Sequence, residues 1–323
     1  MINIIRLATR KSPLAIWQAN NVKNLINKNF PEIKIEIKPM TTKGDQITDR
    51  TLTKIGGKGL FIKELEQAIL ENRADIAVHS LKDVPMQLSQ GFTLAGMLMR
   101  EIPNDALISK KYRSLDHVPD GGIIGTSSLR RQAVIKSKYK NLNINPIRGN
   151  INTRLEKLNQ GECDAIILAG AGLIRMNLKN RITELLPIDT FIPAVGQGVI
   201  AIECLQENIE LQKMLTNLSD LNSIICCSAE RTFAEILQGS CEVPLAAYAF
   251  IDEHRRELHL RAMVADAEGI QAINGTKKIE LPILDTTSLA NIQEYAIKCG
   301  NDLANYFIDK GAKELIEKIL ADQ

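Results

Sequence analysis

The sequence predicts an α/β protein: two lobes with mainly parallel sheets, then a third α+β domain with an antiparallel sheet. Three observations carry that prediction. Apolar strand-length runs alternate with amphipathic helix-length runs over the first two hundred residues, the pattern of a sheet covered by helices. Two proline-bearing segments, Arg100-Glu-Ile-Pro103 and Pro187-Ile-Asp-Thr-Phe-Ile-Pro-Ala-Val-Gly-Gln-Gly198, interrupt the alternation as two crossings between lobes would. Beyond them the pattern changes to strands joined by polar hairpin-type turns. The predicted domains are residues 1–98 with 197–218, residues 99–196, and residues 219–323.

In order along the chain, residues 3–8 read as the first strand. Ser12-Pro13 opens a helix over 13–29, Ser as N-cap and Pro at the first helical position. Leu14, Trp17, Val22, Leu25 and Ile26 give that helix an apolar face, so Trp17 is expected in the core. Residues 33–39 read as a strand, 59–72 as a helix, and 75–79 and 92–96 as short strands. The second lobe has strands near 106–109, 123–125, 144–147 and 164–168, with helices starting at Leu129 and Ile151. Residues 199–204 are expected to return to the first sheet. Two lobes joined by two strands would enclose a cleft with hinge freedom. In the third domain a helix over 223–237 keeps Ile225, Ala229, Phe233 and Ile236 on one side. Strands near 245–251 and 258–265 flank the polar turn Asp252-Glu-His-Arg-Arg-Glu257. A short third strand near 270–274 follows the turn Asp266-Ala-Glu-Gly269, and helices run to the end.

Basic residues crowd three strand-to-helix junctions. They are Arg10-Lys11 before Ser12-Pro13, Arg130-Arg131 after Gly125-Thr-Ser-Ser-Leu129, and Arg148 and Arg154 about Gly149-Asn-Ile-Asn-Thr153. Cations at a helix N-terminus oppose the macrodipole, at a cost of roughly 0.3–1 kcal/mol each. Solvation or pairing with Asp and Glu would account for any one junction. Three together point to an anionic ligand, a polycarboxylate or polyphosphate, that the free N–H groups of the same termini would also bind.

The strand over 75–79 ends in Ser80-Leu-Lys82-Asp83-Val-Pro85, and ligands of open α/β sheets bind beyond the carboxyl ends of strands. Ser80, Lys82 and Asp83 are therefore candidate site residues. A loop aspartate is also an ordinary turn residue, but the adjacent lysine favours its ionised form, suited to stabilising a developing cation. Lys54 and Lys58 lie in the glycine-dense Thr53-Lys-Ile-Gly-Gly-Lys-Gly-Leu-Phe61, which reads either as a lid over ligand or as a solvated loop. It lacks the Gly-Lys-Ser/Thr ending of a phosphate-binding P-loop. Of six cysteines, 163, 204, 226, 227 and 299 fall in or beside apolar segments, whereas Cys241 stands in the loop Gly239-Ser-Cys-Glu-Val-Pro244.

Composition narrows the class. The 323 residues are 45% hydrophobic, enough for a full core, and the net charge of +2 argues against bulk attraction to nucleic acid. No apolar run approaches the roughly 20 residues of a membrane span, and no secretion signal is evident, so the cytoplasm is the expected compartment. The cysteines form no C-x-x-C pair or zinc-type spacing, and no metal is expected.

Read together, these segments resemble the porphobilinogen deaminase family. The likeness runs the full length. It rests on Arg6-Leu-Ala-Thr-Arg-Lys-Ser-Pro-Leu-Ala15, Gly57-Lys-Gly-Leu-Phe61, His79-Ser-Leu-Lys-Asp-Val-Pro85 and Gly125-Thr-Ser-Ser-Leu-Arg-Arg-Gln132. Arg148-Gly-Asn-Ile-Asn-Thr-Arg-Leu155, Pro193-Ala-Val-Gly-Gln-Gly198 and the Cys241 loop complete it. The resemblance implies two lobes like those of periplasmic binding proteins and a third domain bearing the cofactor. It implies a transferase that joins four porphobilinogens head to tail into hydroxymethylbilane, releasing ammonia, on a dipyrromethane cofactor held by a thioether to Cys241. Asp83 is then the catalytic group, opposing the cation left when ammonia departs. Ser80, Lys82, Thr126, Ser128, Arg130, Arg131 and Arg154 are the implied cofactor contacts, with Asp83. Arg10, Ser12, Gln18, Lys54, Lys58, Arg148, Arg154 and Arg175 are the implied substrate contacts. Guanidinium forks suit the acetate and propionate on every pyrrole. Ser240 and Glu242 depart from the common Gly-Gly-Cys-Gln-Val-Pro form, stiffening the loop and adding a carboxylate beside an anionic cofactor. The expected partner is the small molecule alone, with no nucleic acid or membrane, and the expected state is a monomer.

Two rival readings stand beside it: a non-catalytic solute-binding module built from the same two lobes, and a phosphate-handling enzyme. The second is weakened by the missing P-loop and dinucleotide fingerprints.

Overall fold

The structure, a computed structural model, describes residues 2–42, 44, 62–239, 243–252, 254–283 and 287–321. Its contacts divide the chain into two compact units, Met1–Glu101 with Gly198–Ser223, and Ile102–Gln197 with Ile224–Gln323.

The first unit is one five-stranded sheet with helices. Its elements are β1 (Ile4–Arg10), α1 (Pro13–Asn29), β2 (Lys34–Met40), α2 (Lys63–Leu70), β3 (Ile76–Ser80) and β4 (Phe92–Met97). The returning segment supplies β10 (Ile200–Leu205) and α6 (Ile209–Thr216), numbered by their place in the whole chain. The strand order is β2-β1-β3-β10-β4. β1 runs parallel to β2 and β3, and β10 runs antiparallel to both its neighbours, so four strands share one direction. The return of 199–204 to this sheet is as the sequence predicts. Ile5, Leu7, Ile76, Val78, Ile200 and Ile202 form its core with Ala19, Val22 and Ile26 of α1. Each large aliphatic side chain buried there contributes roughly 1.5–3 kcal/mol.

Ser12 caps α1 as expected, accepting from the Ala15 N–H at 3.3 Å. The expectation for Trp17 fails: its residue is 38% exposed. The buried stripe runs through Ala15, Gln18, Ala19, Val22 and Ile26. One residue turns a helix by about 100°, which swings Trp17 off a stripe that passes through its neighbour Gln18. Small alanines let the helix lie close to the sheet, and a polar side chain takes the central place.

The second unit begins with another five-stranded sheet. Its elements are β5 (Asp105–Ser109), β6 (Ile123–Gly125), α3 (Leu129–Lys138), β7 (Asn143–Asn145), α4 (Ile151–Asn159), β8 (Ala165–Ala169), α5 (Gly170–Arg175) and β9 (Glu184–Leu185). The order is β7-β6-β8-β5-β9, with β5 alone opposed in direction. The sheet is thus mainly parallel, and β6 and β8 are short continuous apolar strands covered by helices. Helix α7 (Leu221–Ile236) leads into the antiparallel sheet β11 (Leu245–Asp252), β12 (Glu257–Ala265) and β13 (Ala272–Glu280), followed by α8 (Leu289–Asp309) and α9 (Ala312–Ala321). Phe233 of α7 meets Phe307 of α8 edge to face at 4.9 Å.

β13 differs from the short strand expected at 270–274. It pairs with β12 along nine residues, with Lys278 and Glu280 on its exposed face and Lys277 on the other, a polar content that hid it from an apolar search. Its start is displaced by the turn before it. Asp266 accepts from the N–H groups of Ile270 and Gln271, so Ile270 sits in the turn, 82% exposed. Gly269 closes that turn at φ +67°, where an added Cβ would also collide with the Ala133 carbonyl.

Candidate active site

In the first unit the catalytic candidates sit where β3 leaves the sheet. β3 is buried through His79 and ends at Ser80, after which Leu81–Asp83 form a single 3₁₀ turn. Leu81 is fully buried and its N–H donates to Val199 O at 2.9 Å, pinning the turn to the residue that leads into β10. That anchor leaves Lys82 half-buried and Asp83 exposed. Gln18, only 2% exposed, donates from Nε2 to Ser80 Oγ at 2.8 Å, so two residues taken separately from the sequence meet. Arg10 ends β1 half-buried, and the Ser12 hydroxyl oxygen is engaged by the α1 cap. Lys54 and Lys58 lie outside the described residues, as does Cys241.

In the second unit the turn from β6 into α3 gathers Thr126, Ser128, Arg130 and Arg131. Gly125 opens it in a space with no room for a side chain. A Cβ there would lie 2.8 Å from Ile147 Cδ1 and 2.9 Å from Cys163 Sγ. Ser127 Oγ donates to Ile147 O at 2.7 Å, and the Ser128 N–H donates to Thr126 Oγ1 at 3.2 Å. Arg130 and Arg131 then turn inward rather than into solvent, at 4% and 5% exposure. Both meet Asp105 at the start of β5, which is wholly buried: Arg130 Nη1 is 2.8 Å from Oδ2 and Arg131 Nη2 is 2.7 Å from Oδ1. Among the described residues, Arg130 also donates to Ile192 O and Arg131 to Ile167 O. Burial pushes the Asp105 carboxyl up, but the two guanidinium groups outweigh it and hold it well below the usual carboxylate range.

This trio answers part of the junction argument. The cations at the start of α3 have an internal counter-ion that sequence spacing did not reveal. Two guanidinium groups against one carboxylate still leave one net positive charge in a buried place. Arg131 Nε is buried there with no hydrogen-bond partner among the described residues. Such an atom is costly unless something accepts from it. A carboxylate-bearing ligand fits that donor, and a dipyrromethane with acetate and propionate side chains is one. Gln197, from the Pro193–Gly198 motif, donates to Asp105 Oδ1 at 2.9 Å and to Pro103 O at 2.6 Å. Glu230 of α7 accepts from the Gly196 N–H at 2.7 Å and the Ala249 N–H at 2.8 Å, tying that motif to β11.

The other basic candidates stand around the same sheet. Asn150 caps α4 by accepting from the Thr153 N–H at 3.0 Å. Arg148 and Arg154 are half-buried beside that cap, and Arg154 Nε donates to Gly149 O at 2.8 Å. Arg175 closes α5, 8% exposed. Asp105 and Gln197 were not foreseen as site residues. The available signal was an acidic residue opening the apolar run Ala106-Leu-Ile108 and a glutamine between two glycines.

The fold and these junctions define a class: an α/β protein with basic residues at its strand-to-helix junctions and an exposed carboxylate on the turn after β3. Comparison with known proteins makes it particular. Residues 5–213 match the family model described as porphobilinogen deaminase, dipyromethane cofactor binding domain, and residues 224–309 match porphobilinogen deaminase, C-terminal domain. A porphobilinogen deaminase of Chromobacterium violaceum is 45% identical over 319 residues, 98% of each chain. Among solved structures, a VFT2 domain of Bordetella pertussis BvgS overlaps 67% of this chain and 86% of its own, at 14% identity and TM-score 0.42. A putative methionine-binding lipoprotein of Bacillus subtilis overlaps 67% and 90%, at 15% identity and TM-score 0.41. Likenesses that loose add nothing to the strand order itself.

The chain belongs to the porphobilinogen deaminase family. It is an enzyme of tetrapyrrole biosynthesis, a transferase that polymerises four porphobilinogen molecules into hydroxymethylbilane with release of ammonia, and its cofactor is a dipyrromethane. The solute-binding and phosphate-handling readings fall away. Among the described residues, no helix is long and apolar enough to cross a membrane.

Proposed function

We propose that Asp83 is the catalytic group and that Cys241 carries the dipyrromethane. Ser80, Lys82, Thr126, Ser128, Arg130, Arg131 and Arg154 would hold the cofactor, and Arg10, Ser12, Gln18, Lys54, Lys58, Arg148, Arg154 and Arg175 the incoming pyrroles. The observation that carries this reading is the buried Arg130–Asp105–Arg131 trio, with its net positive charge and unpartnered Nε. It supports a binding place for ligand carboxylates, each charge-assisted contact contributing roughly 1.5–3 kcal/mol. The cofactor supplies an anchored pyrrole chain for extension. The residues supply charge: guanidinium groups neutralise the carboxylates, and Asp83 opposes the cation left as the substrate loses ammonia. The same carboxylate, at the end of a short turn, would take the proton lost from the pyrrole ring carbon at which the new carbon–carbon bond forms. The C-terminal domain from residue 219 would carry the attachment loop, and the working form would be a cytoplasmic monomer that needs neither nucleic acid nor membrane.

Intact mass of the purified chain tests the reading first: a covalent excess matching a dipyrromethane is expected. Asp83→Asn tests the chemistry. It keeps size and loses charge, whereas Asp83→Glu keeps charge and moves it by about one methylene. In folded, cofactor-loaded protein, kcat should fall by about 10²–10³ in Asn and much less in Glu, the scale of a lost preorganised transition-state contact. Near-normal turnover of Asp83→Asn would remove Asp83 from the mechanism.

A further inference from the structure

Beneath the strand that delivers Ser80 and Asp83 lie three buried titratable side chains with no part in the site described above. His79 of β3 is 5% exposed, Glu203 of β10 is wholly buried and Glu66 of α2 is 8% exposed. In the antiparallel register His79 faces Ala201 and Ala77 faces Glu203, so His79 and Glu203 project from the same face of the sheet, two residues apart. His79 Nε2 lies 3.0 Å from Glu203 Oε2. Glu66 approaches from the helix above, near enough for the charge of Glu203 to act on its carboxyl, and accepts from Ser89 Oγ at 2.8 Å. Leu65 and Ala68 of the same helix and Ala77, which faces Glu203, belong to one buried apolar cluster with Phe92.

Two carboxylates near each other in such a place cannot both be ionised cheaply. Burial chiefly raises the Glu66 carboxyl, Ser89 opposes that, and the charge and hydrogen bond of Glu203 add to the rise, with a smaller opposing effect from His79. The His79 ring meets Glu203 Oε2, and a protonated Glu66 would be a donor for Glu203 Oε1, which is buried without a partner among the described residues. An apolar core would stabilise the sheet as well or better, so a polar chain here calls for a use other than stability.

We propose that His79 is a positioning residue, and that the Glu66–Glu203–His79 chain locks the end of β3 against β10 so that the Ser80–Asp83 turn is held in place. The linkage is short. His79 runs directly into Ser80, the last residue paired with β10, through Ile200, and Leu81 is tied to Val199 by its N–H. Asp83 follows His79 by four residues, and the turn between them is held by the Leu81–Val199 bond and by the Val84 N–H donating to Leu81 O at 3.0 Å. The proposal deepens the reading of Asp83 as the catalytic group and rests on it.

The test uses protein whose covalent adduct has been verified by mass. His79→Phe keeps volume and removes the ring nitrogen; His79→Gln keeps a donor toward Glu203. With the adduct present in both, His79→Phe should lose roughly ten- to hundredfold in kcat with KM little changed, as a misplaced catalytic group would. It should also show faster amide exchange at Leu81 and Val84. His79→Gln should recover most of both. If the ring merely fills space, Phe will match or surpass Gln, and the proposal falls.

Glu66→Gln supplies a measurement free of turnover and serves if a His79 variant does not fold. A carboxyl raised in the folded state contributes stability that is complete below about pH 4.3 and is lost as pH rises through the raised value. Gln imitates the protonated form at every pH. The Tm of Glu66→Gln relative to the wild type should therefore climb as pH rises above that point, with slower exchange at Leu81 and Val84. A Tm difference that is flat with pH, or exchange there that does not respond, overturns the chain. If instead these results hold while Asp83→Asn turns over normally, the reading of Asp83 has failed and the positioning has not.

Discussion

Cys241→Ser should be purified as the bare polypeptide mass, without the covalent excess of the wild type, and should not turn over. The expectation rests on what the other cysteines cannot do. Attack on an electrophilic pyrrole needs a thiolate in reach of ligand. Cys163, Cys204, Cys226, Cys227 and Cys299 are all buried and free of disulfides. Burial pushes the Cys163 and Cys204 thiols up to about 11, with adjacent acidic groups adding to the rise, and the Cys299 thiol to about 12 against the opposing charge of Lys277. A thiol at 11 is ionised to only about one part in 10⁴ at pH 7. None of the three can replace a lost attachment residue, and Cys226 and Cys227 are packed inside α7. Serine keeps the shape of the side chain and replaces the sulfur nucleophile with a far weaker hydroxyl. Intact mass and product formation read the two consequences separately. An adduct surviving in Cys241→Ser would move the attachment to another residue and undo the assignment.

What the sequence made legible was local. Ser12-Pro13 marks the start of α1 because the cap and the proline are both determined within one turn. The mainly parallel character of the two sheets followed from helix-strand alternation, which gave no sign that β5 and β10 run against their neighbours. The apolar Val199-to-Cys204 run was readable as a return to the first sheet. Less legible were features decided by partners distant in sequence. Asp105 looks like a turn residue before a strand, and its partners lie 25, 26 and 92 residues away. Arg130 and Arg131 were recognisable as placed charges, but nothing in a row of residues says that they point inward. Glu203 is the same kind of case: a charge in an apolar strand whose explanation lies in His79, 124 residues away. Trp17 shows the limit of periodicity, since residues one position apart on a helix can belong to different faces. Composition read the presence of polar groups correctly and had no means of seeing their pairing.

Asp105→Ala should be the most destabilising of the substitutions considered. It leaves two guanidinium groups, each about 95% buried, facing each other without the carboxylate that both share. Removing one partner from a buried ion pair costs about 3–5 kcal/mol, because the remaining charge is left uncompensated. Asp105→Asn retains an acceptor for Arg131 and Gln197 and should lose somewhat less. The Asp105 carboxyl is held below the usual range, so its stabilisation is complete above about pH 4 and is lost only as pH falls through the lower folded value. Urea unfolding at pH 7 therefore measures the whole effect. The Cys241→Ser background, without cofactor, supplies the second arm. If a ligand carboxylate sits against this trio, it takes over part of the work of Asp105, and Asp105→Ala should cost less in cofactor-loaded protein than in the Cys241→Ser chain. If the trio is only internal scaffolding, the two losses will be equal, since sites that share no partner are additive within about 0.5 kcal/mol. Equal losses would leave Arg130 and Arg131 as structural cations and take them out of the cofactor site. Stability unchanged in both backgrounds would show that the buried pairing itself does not hold in solution.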